Sequence, residues 1–277
     1  MIKNILLPLL TLLFLTMLSC NNEDDDPLSS NPKDVNDPAH LTLIPDPKFE
    51  KQLIEQGYDS IMDGTVATSI INKVSYLDVS ESQIKDMTGI ESFTSLLTLR
   101  ALNNFFTEID LSENVALEDL DLSGQRLESL NVAKNILLRR LNVQGNALTQ
   151  LNVSLNADLE YLDCSDNNLK QLDVRQNTLL YSLICDNNRL TNLEVSELNN
   201  LTGLYCTDNQ LTNLDVSQNN ILKTLRCFNN NLTTLDMSKN KDLRDLYCNN
   251  NKLTSLDISQ NNNLEVLYCY DNMLNRL

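Results

Sequence analysis

The chain has 277 residues and a formal charge of −17, from 38 acidic against 21 basic side chains; this balance argues against nucleic acid as a partner, because phosphate backbones are bound through clustered Lys and Arg. It lacks Trp and has one histidine, His40, which leaves little material for general acid–base chemistry. No nucleophile elbow, zinc-protease helix, phosphate loop or dinucleotide fingerprint occurs, so the expectation is a non-enzyme with no cofactor and no metal.

Residues 1–19 combine Lys3, an apolar run and a small residue before Cys20, the pattern of an export signal. The run is interrupted by Pro8 and falls short of the ~20 apolar residues a membrane helix needs. Met17-Leu18-Ser19-Cys20 resembles the lipobox of bacterial lipoproteins, with Met where leucine is usual; the alternative is a plain secretory signal. The resemblance implies that Cys20 is acylated and anchors the chain to a membrane. Residues 20–42 are acidic and rich in Pro, Ser and Asn, too poor in large apolar groups to fold, and read as a tether. Glu23, Asp24, Asp25 and Asp26 resemble the acidic signal that sends Bacteroidota lipoproteins to the outer face of the outer membrane. A solvated spacer on a periplasm-facing lipoprotein is the other reading.

Residues 43–73 read as an N-terminal cap, in which Asp46 caps and Pro47 starts a helix with Phe49, Leu53 and Ile54 on one side. A solenoid needs such a cover for the interior of its first coil.

From residue 74 to 277 the chain repeats. Cys164, Cys185, Cys206, Cys227, Cys248 and Cys269 stand 21 residues apart, and from Asp110 the chain divides into 21-residue units close to D-V-S-x-N-x-x-L-x-x-L-x-C-x-x-N-x-L-x-x-L. That unit is a leucine-rich repeat with Cys in a slot the signature allows. Leu-x-x-Leu-Asp-Val-Ser-x-Asn has the same apolar spacing as Leu-x-x-Leu-x-Cys-x-x-Asn, and 21 residues leave no room for a convex helix of about 10 residues. The expectation is a mainly β solenoid of 21-residue coils, extended on both walls. The opening I-P-D-x-x-F-E-x-x-L-I-x-x-G-Y-D-S, followed by S-x-L-D-V-S, resembles surface leucine-rich repeat proteins of Flavobacteria and, more remotely, the internalins. That family implies secreted or surface-attached binding and adhesion.

The Asn column through Asn167, Asn188, Asn209 and Asn230 sits where the chain leaves the strand and is expected to satisfy turn backbone groups. The cysteines project in parallel about 4.8 Å apart, a poor geometry for disulfides or tetrahedral zinc, and are expected to be buried free thiols. The acid column of Asp173, Glu194, Asp215, Asp236 and Asp257 lies in a line and is expected to be a solvated face rather than a calcium site.

Function is expected in the outward columns beside the Cys strand. Just before the Cys position these run Ile184, Tyr205, Arg226, Tyr247 and Tyr268; just after it stand Phe228 and Tyr270; Tyr161 lies nearby. Aromatics with an Arg are the residue types that dominate binding hot spots. The expected ligand is an extracellular protein, with a glycan stacking on the Tyr rings as the alternative. A third reading is a scaffold that self-associates end to end, through the strand edge left open where the chain closes at Leu277.

Overall fold

A computed structural model describes residues 41–275. The export signal, Cys20, nearly all of the tether and Leu277 lie outside the described residues.

The described chain opens with β1 (Leu41–Leu43), which pairs antiparallel with β2 (Thr65–Ala67). Between them α1 (Pro47–Glu55) forms where the sequence places it. Asp46 is its N-cap: one carboxylate oxygen accepts from Lys48 N at 2.7 Å and Phe49 N at 3.2 Å. Its other oxygen accepts from Lys85 N at 2.7 Å and Asp86 N at 3.1 Å. A single aspartate thus caps the start of the helix and ties it to the first coil. Phe49 and Leu53 are fully buried, and the Phe49 ring stacks on Phe93 with centroids 6.2 Å apart; Ile54 is only half-buried. A short helix, α2 (Thr68–Ile71), leads into the repeats.

Ten three-residue strands then stack in chain order into one parallel sheet. They are β3 (Tyr76–Asp78), β4 (Thr98–Arg100), β5 (Asp119–Asp121), β6 (Arg140–Asn142) and β7 (Tyr161–Asp163). After them come β8 (Ser182–Ile184), β9 (Gly203–Tyr205), β10 (Thr224–Arg226), β11 (Asp245–Tyr247) and β12 (Val266–Tyr268). From β4 onward the register follows the 21-residue period, so Leu204, Leu225 and Leu246 face one another across β9, β10 and β11. Alternation then sends that Leu column and the Cys column inward and the residues between them outward.

The solenoid is mainly β, but the second wall departs from expectation. It contributes no strand to the sheet; instead it is a run of turns, with Asn219 N donating to Val216 O at 3.0 Å and Leu222 N to Asn219 O at 3.1 Å. The cause is the Asp-Val-Ser triplet: Asp215 Oδ1 accepts from Ser217 N at 2.9 Å, and Asp236 and Asp257 do the same to Ser238 and Ser259. An aspartate that folds onto the amide two residues ahead starts a turn and stops an extended run. The acid column is therefore a turn-forming column, and hydrogen bonds from the Ser amides hold Asp236 and Asp257 below the usual carboxylate range.

Two Asn columns tie the coils together. In the first, Asn209 Nδ2 donates to Cys185 O at 2.9 Å, Thr207 O at 3.0 Å and Cys206 O at 3.3 Å, while its Oδ1 accepts from Leu190 N at 3.0 Å. The residue before it, Asp208, is left-handed at φ 52, as are Asp166, Asn187, Asn229 and Asn250 in their coils, a conformation Asn and Asp tolerate. In the second column, Asn219 Nδ2 donates to Val195 O at 2.9 Å and Leu198 O at 2.8 Å, and Asn240 Nδ2 donates to Val216 O and Asn219 O in the next coil. Side chains thus supply cross-coil bonds that the turn wall does not make through its backbone. The second column has one gap, where Leu198 stands fully buried in the place of an asparagine.

Candidate functional site

The outward columns of the sheet are laid side by side by strand register. Tyr205, Arg226, Tyr247 and Tyr268 are directly opposed on β9 to β12. The guanidinium carbon of Arg226 lies 5.4 Å from the Tyr205 ring centroid and 4.9 Å from that of Tyr247. Tyr247 in turn stacks on Tyr268 at 5.0 Å with the rings 8° from parallel, and Tyr270 meets Tyr268 edge-on at 6.2 Å. Four rings and one cation form a continuous surface. Cation–π contacts of this kind contribute ~0.5–1 kcal/mol each at an exposed site. They hold long side chains in place before any ligand arrives.

Of the residues singled out from sequence, five join this stack: Tyr205, Arg226, Tyr247, Tyr268 and Tyr270. Ile184 is half-buried and faces Tyr205 across the strands, continuing the surface by one coil. Phe228 is half-buried in the column after the Cys, two coils before Tyr270. Tyr161 belongs to another cluster. The Arg140 guanidinium lies 4.5 Å from its ring centroid, and its hydroxyl donates to Asp163 Oδ2 at 3.5 Å. Burial, and then the charge of Asp163, push the Tyr161 phenol up to about 12.

That middle cluster contains the acids that sequence reasoning passed over. Asp163 is buried and pushed above the usual carboxylate range by burial, against hydrogen bonds from Ser165 N at 3.0 Å and Ser165 Oγ at 2.6 Å. Asp186 is raised for the same reason, although it accepts from Thr207 N at 2.6 Å. Arg140 was also missed. It lies 21 residues before Tyr161, so the same period, applied to the first strand position, would have paired them.

Beneath the face the thiols of Cys164, Cys185, Cys206, Cys227 and Cys248 are buried and free, and Cys269 is half-buried. Burial raises the five buried thiols well above an ordinary cysteine, Cys248 to about 12. Cys185 Sγ donates to Tyr205 O at 3.4 Å. The ladder therefore packs and braces the strand that carries the aromatic stack. Among the described residues no group of acids, histidines or cysteines is arranged to hold a metal ion, and no helix is long and apolar enough to cross a membrane.

No protein-family profile matches the chain, and no curated protein does. Solved structures do. The functional domain of InlJ from Listeria monocytogenes, described as including a cysteine ladder, is 37% identical with a TM-score of 0.82; the match covers 86% of this chain and 54% of that one. This chain thus spans about half the length of that relative. The internalin InlF of Listeria monocytogenes is 21% identical over 83% of this chain and 77% of its own, with a TM-score of 0.69. The ectodomain of the Arabidopsis thaliana receptor kinase GASSHO1/SCHENGEN3, in complex with Casparian Strip Integrity Factor 2, is 23% identical, with a TM-score of 0.66, over 71% of this chain and 27% of its own. The last two likenesses bear on the fold alone. The fold of this chain is that of the internalin-like leucine-rich repeat solenoids, with a cysteine ladder under its sheet.

Proposed function

We propose that this chain is an exported, surface-held binding module without enzymatic activity, which grips an extracellular protein partner on the aromatic end of its sheet face. One observation carries the reading: Tyr205, Arg226, Tyr247, Tyr268 and Tyr270 stand in mutual contact on the outward side of neighbouring strands, with Tyr268 and Tyr270 exposed. Aromatic and Arg side chains held in place beforehand lose little entropy on binding, which is what makes them hot spots. The internalin-like fold supports a binding role, and the lipobox at Met17 to Cys20 with the acidic run behind it supports an acylated chain on the outer membrane, facing outward.

A glycan ligand is the weaker reading, because sugars dock on free ring faces. Here the faces of Tyr247 and Tyr268 are turned toward each other, and Tyr247 also meets Arg226. A scaffold that assembles through its last strand needs none of these side chains.

The test is capture of extracellular proteins and a glycan array by the full chain, beside the triple variant Tyr205→Ala, Tyr247→Ala, Tyr268→Ala. A protein captured by the chain and lost in the variant is the expected result. A ligand that the variant keeps would remove the face from the argument and favour the scaffold.

A further inference from the structure

The sheet carries three arginines on its strands, and two of them are neutralised in place. Asp119 on β5 reaches Arg100 and Arg140 on its two sides, at 3.7 Å each. Arg226 is different. Among the described residues it has no carboxylate within salt-bridge distance and no side-chain hydrogen bond. The acid nearest in register, Asp245, accepts from the Thr224 hydroxyl at 3.2 Å. Asp186 feels the Arg226 charge only at longer range, without an ion pair, so in a chain with a charge of −17 this is a cation without a direct partner on the most aromatic part of the surface, and that calls for a ligand.

The surroundings of Arg226 decide which ligand. Tyr205 and Tyr247 flank the guanidinium from the two neighbouring strands while Arg226 itself stays exposed, and all five N–H donors of that group lie in its plane. A planar fork of N–H donors matches the two oxygens of a carboxylate. The flanking rings also hold the guanidinium in place beforehand, so a charge-assisted bond to it costs less side-chain entropy. A neutral sugar supplies no anion, and the Tyr247 ring is already engaged by Arg226 and Tyr268.

We propose that this face recognises an acidic peptide segment, whose aspartate or glutamate carboxylate meets the N–H fork of Arg226 between Tyr205 and Tyr247. This rests on the reading of the aromatic face as the binding site and adds the chemistry of its partner. Tyr268 and Tyr270 then supply the apolar rim beside the carboxylate.

A random peptide library displayed on phage, panned on the immobilised full chain, tests it. The expected result is enrichment of peptides with Asp or Glu at a fixed place, captured about tenfold or more weakly by Arg226→Gln, since a hydrogen-bonded charge is lost. An unchanged thermal midpoint in Arg226→Gln, together with partial recovery by Arg226→Lys, separates this from misfolding. Enriched peptides without acids, or acidic peptides that Arg226→Gln binds equally well, would sink the carboxylate assignment. In that case the binding face itself survives if Tyr268→Ala/Tyr270→Ala still loses the peptides. Peptides indifferent to both variants, or no enrichment, overturn the face and the assignment together. Capture by acidic but not neutral glycans, abolished in Arg226→Gln, would move the carboxylate from a peptide to a sugar and overturn the peptide assignment alone.

Discussion

Gly203 makes room for the ring of Tyr205: a Cβ on Gly203 would stand 2.9 Å from Cε2 of Tyr205, closer than such atoms come. The two residues share β9, two positions apart on the same face, and the bare backbone of the first lets the ring of the second lean over it. Valine favours strands, so Gly203→Val should leave the sheet intact while driving the Tyr205 ring out of place. The expected readout is a shift of the Arg226 Nε–H resonance, as the guanidinium loses one of its two flanking rings, with little change in thermal midpoint. An unmoved resonance would show that Tyr205 does not depend on the glycine.

The two Asn columns should differ in weight. Asn209→Ala removes a donor from three carbonyls and strips Leu190 N of its acceptor, at a cost of about 4 kcal/mol in urea unfolding. Asn240→Ala removes two donated bonds, from carbonyls that keep a backbone donor, and should cost about 2 kcal/mol. The reverse order would mean that the turn wall, not the strand exit, holds the coils.

Alkylation should read out the cysteine ladder. Iodoacetamide at neutral pH is expected to label Cys269 and to spare Cys164, Cys185, Cys206, Cys227 and Cys248 until the chain is unfolded, since these five are buried and held protonated. Peptide mass mapping checks it, and equal labelling of all six would contradict the burial.

Asp163 carries a charge its surroundings oppose. Its folded-state pKa is raised, so the ionised form costs stability above that pKa, and the cost disappears as pH falls below the ordinary aspartate value. Asn142 holds the same register position one coil earlier, where its Oδ1 accepts from Gln144 N at 3.1 Å. Asp163→Asn should therefore keep the turn and raise the thermal midpoint at pH 7, with the gain fading toward pH 3. A gain that persists in acid would mean that packing, not charge, is its source.

The 21-residue period made most of the fold legible, because a single spacing sets strand register, core columns and outward columns together. It therefore also placed Tyr205, Arg226, Tyr247 and Tyr268 side by side before any coordinates. The second wall was not legible, because Leu-Asp-Val-Ser has the apolar spacing of a strand, and only the aspartate folding back on the serine amide turns it into a bend. The β1–β2 hairpin was missed as well: three-residue strands separated by a helix give alternation too short to read. The columns also hid how side chains lean within a strand, so Gly203 under Tyr205 emerged only from geometry.

Leu198 has a consequence for how the molecule bears load. Each coil touches only its neighbours, so tension along the axis is carried in series, and the weakest junction yields first. One wall is riveted by main-chain bonds at every step, while the other hangs on asparagine rungs, and at Leu198 a rung is missing: Val174 O and Asn177 O there lack the side-chain clasp that Val195 O and Leu198 O receive from Asn219 in the following coil. The solenoid is accordingly stiff on its sheet side and has a built-in crease on its back, at the junction that leads into the coil where the aromatic stack begins.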